Sequence, residues 1–320
     1  MCTIIQALAE FVLDRAAYCS PYTVRWYHRM LDPLAEWLKD KDVSDIKSSD
    51  YNAYLVHLRT RERADLRPGN LSATTIGHAV RAIKTFSRWC REMGYADADP
   101  SARLKSPRIE RLPESLTLEQ VQLLKETLIH GKWQSVIRDR ALVFFLLETG
   151  CRAAEVLCLT LDKLSLELMY ADVLGKGNKT RRVGFTETTR DAVKAYLGNR
   201  TTGSIFQADY LPNPVLKCER QEKKGKPAST PLKYEGLRMI LLRLSNKTDI
   251  PLHCHLFRHT FGTLAVADGM DPSHVQTAMG HANIATTYLY VAQARQTAAL
   301  KAMRLHSPLS VTAKVRKVNQ

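Results

Sequence analysis

Long apolar runs are missing from this chain of 320 residues. None approaches the roughly eighteen consecutive apolar positions that a membrane-spanning helix needs, so no membrane partner is expected. Met1 to Glu10 holds no basic segment followed by an apolar core, which speaks against a secretory signal. Cysteine offers no framework: seven stand at positions 2, 19, 90, 151, 158, 218 and 254. An odd number at irregular spacing argues against a disulfide scaffold and for a reducing, cytoplasmic setting. Internal repeats and low-complexity segments are also lacking.

Two cofactor patterns are incomplete as well. Gly175-Lys176-Gly177-Asn178-Lys179-Thr180 lacks the spacing of a phosphate-binding loop, and a strand rather than a helix is expected to follow it. His255 and His259 stand four apart as zinc ligands can on a helix, but the Glu of the metalloprotease pattern and any paired cysteine motif are absent. A zinc hydrolase is therefore a minor reading, and neither metal nor cofactor is expected.

Charge, by contrast, is plentiful and one-sided. Lys and Arg number 47 against 32 Asp and Glu, a net +15. Residues 1–100 carry 14 basic and 13 acidic groups, whereas residues 116–320 carry 29 and 17. Such an excess favours a polyanionic partner, nucleic acid first of all, although composition alone leaves a merely cationic protein open.

Length suggests about two domains. The first hundred residues read as helices only. Val24, Tyr27, Leu31, Leu34 and Leu38 recur at helical steps after a Ser20-Pro21 start, with Pro33 expected to kink or split the helix. Ile76, Val80, Ile83, Phe86 and Cys90 repeat the pattern up to Gly94, and shorter helices are expected over Ile4–Ala17 and Ser49–Thr60. Arg81 and Lys84 lie on the polar face, where they serve either phosphates or solvent. Periodicity then stops. Pro100, Pro107 and Pro113 punctuate residues 101–115, read as an extended basic linker with Arg103, Lys105, Arg108 and Arg111.

A capping box, Thr117 to Gln120, opens the second domain, 116–320. Helices around Val136–Leu147 and Ala153–Leu161 precede two strands, Leu166–Leu174 and Thr180–Phe185, joined by a Gly/Asn turn. After Pro214 come a lysine-rich loop, Lys217 to Lys226, and helices to the end. The fold class is mainly α with a small antiparallel β-sheet.

Four segments in fixed order carry chemistry. Thr149-Gly150-Cys151-Arg152-Ala153-Ala154-Glu155 puts an arginine in the first turn of an apolar helix, and Lys176 follows on the hairpin turn. His255-Leu256-Phe257-Arg258-His259 adds a second such arginine. Met279-Gly280-His281 leads into a final helix with Tyr288 and Tyr290. Arginine in an apolar helix is costly unless paired; an Arg152–Glu155 pair accounts for one of them but not for the series.

In these segments the chain resembles the tyrosine recombinase (phage integrase, Xer-type) family. Arg152, Lys176, His255, Arg258, His281 and Tyr290 fill the family's motif positions. Met279 and Phe257 depart from the more usual leucines, both apolar swaps. The resemblance implies a helical core-binding domain over 1–100 and a catalytic domain that together clamp double-stranded DNA in a C shape. It implies a site-specific recombinase or integrase acting through a 3′-phosphotyrosine on Tyr290, with a free 5′-hydroxyl as the other product.

Two guanidiniums, Arg152 and Arg258, suit the charge that gathers on an attacked phosphodiester. Lys176 is expected as general acid for the leaving oxygen, His255 as proton acceptor or hydrogen-bond partner and His281 as a phosphate ligand. Tyr288 and Tyr290 point about 200° apart on a helix, so one site holds only one of them. The resemblance further implies a tetrameric synapse of four copies on specific recombination sites, a C-terminal tail after 291 that docks on a neighbouring copy, and accessory DNA-bending proteins in some systems. Competing readings are a type IB topoisomerase-like relaxing enzyme and a non-catalytic DNA-binding regulator.

Overall fold

The computed structural model describes residues 2–39, 41–60, 70–108, 114–175, 178–208, 230–281 and 283–305. Two compact units divide the chain, Met1–Arg111 and Leu112–Gln320.

In the first unit, Thr3 and Gln6 form a capping box that starts α1 (Ile4–Tyr18). Ser20 caps α2 (Pro21–Leu38) with Pro21 in its first turn. Next come α3 (Ser48–Thr60) and α4 (Ala73–Glu92), the latter capped by Ser72. Their apolar stripes meet around Phe11, whose ring is edge-on to Tyr27, Phe86 and Trp89 at 5.0, 5.4 and 5.5 Å between centroids. Helix α4 stops where expected, with Gly94 in the left-handed region at φ +78°.

Pro33 does not split α2, which runs through it unbroken. The proline removes one helical donor, but the carbonyl that loses it belongs to Arg29, an exposed residue open to water. Leu31, Leu34 and Ala35 meanwhile keep the last turns in the core. The stretch read as an extended linker also begins folded: Leu104 is buried, and Lys84 donates to the Ala102 carbonyl at 3.5 Å. Arg81, Arg103, Lys105 and Arg108 are exposed on this unit, whereas Arg111 lies outside the described residues.

The second unit opens with α5 (Leu118–His130) on the Thr117–Gln120 capping box. Helix α6 (Val136–Thr149) is apolar nearly all round, with Ala141 to Phe145 in the core, and so forms the centre of the unit. It ends at Gly150, φ +57°, where any Cβ would stand 2.4 Å from the Phe261 ring. Short α7 (Ala153–Leu157) follows.

The sheet is antiparallel in the order β1 (Leu164–Ser165), β2 (Tyr170–Leu174), β3 (Thr180–Gly184). Its hairpin register pairs Tyr170 with Gly184 and Leu174 with Thr180. The longer strand expected from Leu166 begins only at Tyr170, because Met169 adopts a positive φ of 52° and breaks the extended run. Strand β1 and the following α8 (Glu187–Leu197) were not foreseen, although Thr189, Ala192, Val193 and Leu197 are buried at helical spacing.

Four helices close the described part of the unit: α9 (Tyr234–Thr248), α10 (Cys254–Ala267), α11 (Pro272–Met279) and α12 (Ile284–Leu305). From Tyr290 to Leu305 the chain continues the helix that carries Tyr290. The lysine-rich loop lies outside the described residues. Among the described residues no helix is long and apolar enough to cross a membrane.

Candidate active site

The C-terminal end of α11 is where the signature residues meet. Three successive backbone carbonyls there each accept from a different arginine. Arg181 Nε donates to Ala278 O at 2.8 Å, Arg258 Nη2 to Met279 O at 2.7 Å, and Arg152 Nη2 to Gly280 O at 3.2 Å. Helix ends leave carbonyls unpaired and carry partial negative charge, so cations suit them.

The three arginines are not alike. Arg152 is the N-cap of α7, one residue before the first turn in which it was expected. Glu155 accepts from the Arg152 backbone N–H at 2.8 Å and from its Nη1 at 2.9 Å. Arg181, on β3, grips the same carboxylate with both Nη atoms, at 2.9 and 2.8 Å. Burial acts to raise the Glu155 pKa, but these charged donors overcome it and hold the carboxyl at about 2.

Arg258, from α10, has no carboxylate partner among the described residues. It donates to the carbonyls of Gly150 and Met279, both at 2.7 Å, which occupies two of its five N–H groups among the described residues. It is 4 % exposed. Burial, followed by the nearby Arg152 charge, lowers its pKa to about 10, which still leaves it cationic at neutral pH.

Tyr290 is 2 % exposed, while Tyr288 on the opposite side of α12 is 57 % exposed. Helical geometry thus sends only Tyr290 into the cluster. Its ring lies against Gly262, where a Cβ would stand 2.7 Å from Cδ2, so α10 and α12 approach this closely only with glycine there. His281 stacks on the phenol ring at 5.9 Å and 23°, its Nδ1 2.9 Å from the hydroxyl of the buried Thr287. That bond fixes the imidazole and leaves Nε2 for an incoming group.

The Tyr290 hydroxyl is 3.0 Å from Nδ1 of His259, not from His255. Burial raises the Tyr290 pKa, with Arg258 and Arg152 partly opposing it. Burial is also the main reason that His259 and His281 are each pushed down to about 4, so both rings are neutral near pH 7. His255 is exposed and shifted down by burial and then by Arg258.

The structure therefore unites Arg152, Arg258, His281 and Tyr290, with His255 one turn from His259. Lys176 lies outside the described residues; the strands flanking it pair up to Leu174 and Thr180, and Asn178 takes φ +60° in the turn. Arg181 and His259 are the members that motif reading missed. Arg181 shares a strand face with buried Val183, and an arginine on a core face signals a buried partner. In the histidine-rich stretch, His253 caps α10, its Nδ1 accepting from the Leu256 N–H at 3.2 Å, and Cys254 is buried. Among the described residues no three His, Cys, Asp or Glu side chains are grouped to hold a metal ion.

Comparison with known proteins agrees with this geometry. Residues 114–297 match the phage integrase family, and residues 4–97 match the phage integrase N-terminal SAM-like domain. The tyrosine recombinase XerD of Halalkalibacterium halodurans is 32 % identical over 240 residues, 74 % of each chain. XerD of Bifidobacterium longum is 30 % identical over 276 residues, 84 % of this chain and 85 % of its own. Among solved structures, the Tn1549 transposon integrase in complex with a circular intermediate DNA shares the fold with a TM-score of 0.72, at 19 % identity over 91 % of this chain and 95 % of that one. These relatives are recombinases, which disfavours the topoisomerase reading. The chain belongs to the phage integrase family of tyrosine recombinases, enzymes that cleave and rejoin DNA strands.

Proposed function

We propose that this recombinase acts on specific sites in double-stranded DNA, with Tyr290 attacking the scissile phosphate to give a 3′-phosphotyrosine and a free 5′-hydroxyl. The observation that carries the assignment is the burial of the Tyr290 hydroxyl among His259, His281 and the Arg152–Arg258 pair. Arg152 and Arg258 stabilise the charge on the non-bridging oxygens, doing with fixed guanidiniums what metal ions do in other phosphoryl-transfer sites. His281 donates to the phosphate through Nε2, and His255 faces the same group. Lys176 protonates the departing 5′-oxygen from the hairpin turn. Arg181 and Glu155 position these groups. The covalent link conserves the phosphodiester energy, so no ATP is needed.

DNA binding would draw on Arg81, Lys84, Arg103, Lys105, Arg108 and Arg111, phosphate contacts that position without specifying. Residues 1–100 would act as the core-binding domain, 101–115 as the strap and 116–320 as the catalytic domain, closing on the duplex as a clamp. Four copies would form the synapse, with accessory DNA-bending proteins where the site requires them and the tail after 291 linking neighbours. The cytoplasm is the expected setting.

The test uses supercoiled DNA carrying the gene's flanking sequences, followed by mapping of the covalent junction and its peptide. Wild type and Tyr288→Phe should form the adduct on Tyr290, and Tyr290→Phe should bind yet form none. An adduct on Tyr288, or one persisting in Tyr290→Phe, would overturn the assignment. EDTA should leave the wild-type reaction intact.

A further inference from the structure

Attack by Tyr290 requires its hydroxyl proton to go somewhere, since a free phenol ionises only near pH 10. The family resemblance points to His255, but the geometry points elsewhere. His255 is exposed, and its ring centroid is 6.1 Å from that of His259. His259, one turn later on α10, has Nδ1 at hydrogen-bond distance from the Tyr290 oxygen, 3.0 Å. We infer that His259 is a further catalytic residue, whose Nδ1 takes the Tyr290 proton as the oxygen attacks and returns it when the strand is rejoined. This rests on Tyr290 being the nucleophile, as proposed above.

Three features fit the role. First, donor and acceptor sit on rigid helices, α10 and α12, in contact through Gly262, so the reach does not depend on a loop. Second, if the phenol donates, Nδ1 accepts and the ring proton resides on Nε2. Third, the imidazole is neutral, held so by burial first and by His255, His253 and Arg258 after it, so its lone pair is available at neutral pH.

A base this weak cannot ionise a buried phenol unaided. As the Tyr290 oxygen bonds to the phosphorus of a bound phosphodiester its proton becomes acidic, so transfer to Nδ1 is coupled to the attack. The phosphate also offsets the Arg258 charge, a smaller cause of the depressed base than burial. The histidine therefore becomes an effective base only when DNA is in place, and the phenol stays protonated without it.

The step balances. The Oη–H bond breaks as Oη–P forms and P–O5′ breaks. The phenol proton ends on His259 as imidazolium, and the 5′-oxygen takes a separate proton from Lys176. Rejoining reverses both transfers, so no net proton and no co-reactant is consumed.

The kinetic test uses a duplex nicked beside the mapped junction, so that the short strand diffuses away and the adduct accumulates. His259→Asn keeps a polar group near the Nδ1 position without a basic lone pair, and His259→Ala removes both. Each should form the Tyr290 adduct at least about 100-fold more slowly, with DNA affinity and melting temperature near wild type. Replacing the bridging 5′-oxygen by sulfur gives a leaving group that needs no proton; it should not restore either variant, because the lost step is on the attacking side. A DNA-free measurement completes the test. Nitrogen-15 NMR of histidine in the full chain should show one unprotonated Nδ1 whose resonance moves in Tyr290→Phe.

Wild-type rates in both variants, rescue by sulfur, or an Nδ1–H tautomer at His259 would overturn the inference while leaving Tyr290 as nucleophile. Absence of a Tyr290 adduct in the wild type would remove the underlying assignment and this inference together.

Discussion

Among the described residues of the second unit, a buried carboxylate sits between arginines in two clusters, and only one of them is the candidate site. At the start of α6, Asp139 is fully buried and accepts from Arg138 Nε and Nη2 at 3.1 and 2.9 Å. The Trp133 indole at 2.8 Å, the Ser135 hydroxyl at 3.2 Å and Arg243 complete its ring of donors. Glu155 is equally well served, by Arg152 and Arg181. The clusters differ in what is left over. Around Glu155 stands a third arginine, Arg258, that is buried and, among the described residues, pairs with no carboxylate and bonds main-chain oxygen. Buried charge in excess of its counter-ion disfavours folding. Its presence supports the proposal above, in which the substrate's phosphate supplies the missing anion.

That contrast can be broken most sharply at Asp139. Removing one partner from a buried ion pair strands the others, so Asp139→Ala should cost about 3–5 kcal/mol of stability, measured by urea unfolding of the full chain. A loss below about 1 kcal/mol would show that this cluster is no keystone.

Next in size is the effect of changing fork to ammonium. Arg152→Lys and Arg258→Lys should lower the rate of adduct formation by about 100- to 1000-fold, or about 2.7–4 kcal/mol of transition-state stabilisation, with DNA binding nearly unchanged. Arg243→Lys, in the other cluster, should leave that rate within about twofold. Equal effects at all three positions would erase the distinction.

A smaller effect is confined to acid. Because the folded Glu155 pKa is depressed to about 2 from an ordinary 4.5, its contribution is fully present above pH 4.5 and fades as pH falls toward 2. Melting temperature should therefore drop across that window, and Glu155→Gln should flatten that part of the curve. An unchanged acid limb in the variant would mean that the Arg152 and Arg181 contacts contribute nothing to the pH dependence.

Much of this was legible in the chain itself. Caps such as Ser20-Pro21 and Thr117 to Gln120 lie where local hydrogen bonding alone decides, so they read directly. The preference for Tyr290 over Tyr288 came from the family's spacing after His281, while helical angle said only that one site holds one of them. Arg181 was harder, because two adjacent arginines occupy β3 and a sequence does not say which face is buried. Arg182 turns outward to Asp172 and lies over the Tyr170 ring at 3.8 Å, while Arg181 enters the site. His259 was legible only as one more histidine. Its partner is 31 positions away in sequence, and that contact exists only once α10 and α12 have packed across Gly262. Continuity through Pro33 likewise depends on which carbonyl loses its donor.

The carbonyls at the end of α11 also govern what kinds of change this region can absorb. Arg181, Arg258 and Arg152 read main-chain oxygen at 278, 279 and 280, not side chains. Substitution is therefore tolerated where the local packing allows it: Met279 fills an apolar slot that another aliphatic residue could fill, and the half-buried Ala278 contributes only its backbone to the arrangement. Length is not negotiable. One residue inserted between Ala278 and His281 would slide each oxygen after it off its guanidinium and rotate the histidine away from the phenol ring. Gly280 is the least exchangeable residue of the three, since it takes φ +65° and a Cβ there would press on the Arg181 side chain at 3.1 Å. In lineages that carry this arrangement, drift should appear as changes of letter and almost never as changes of spacing.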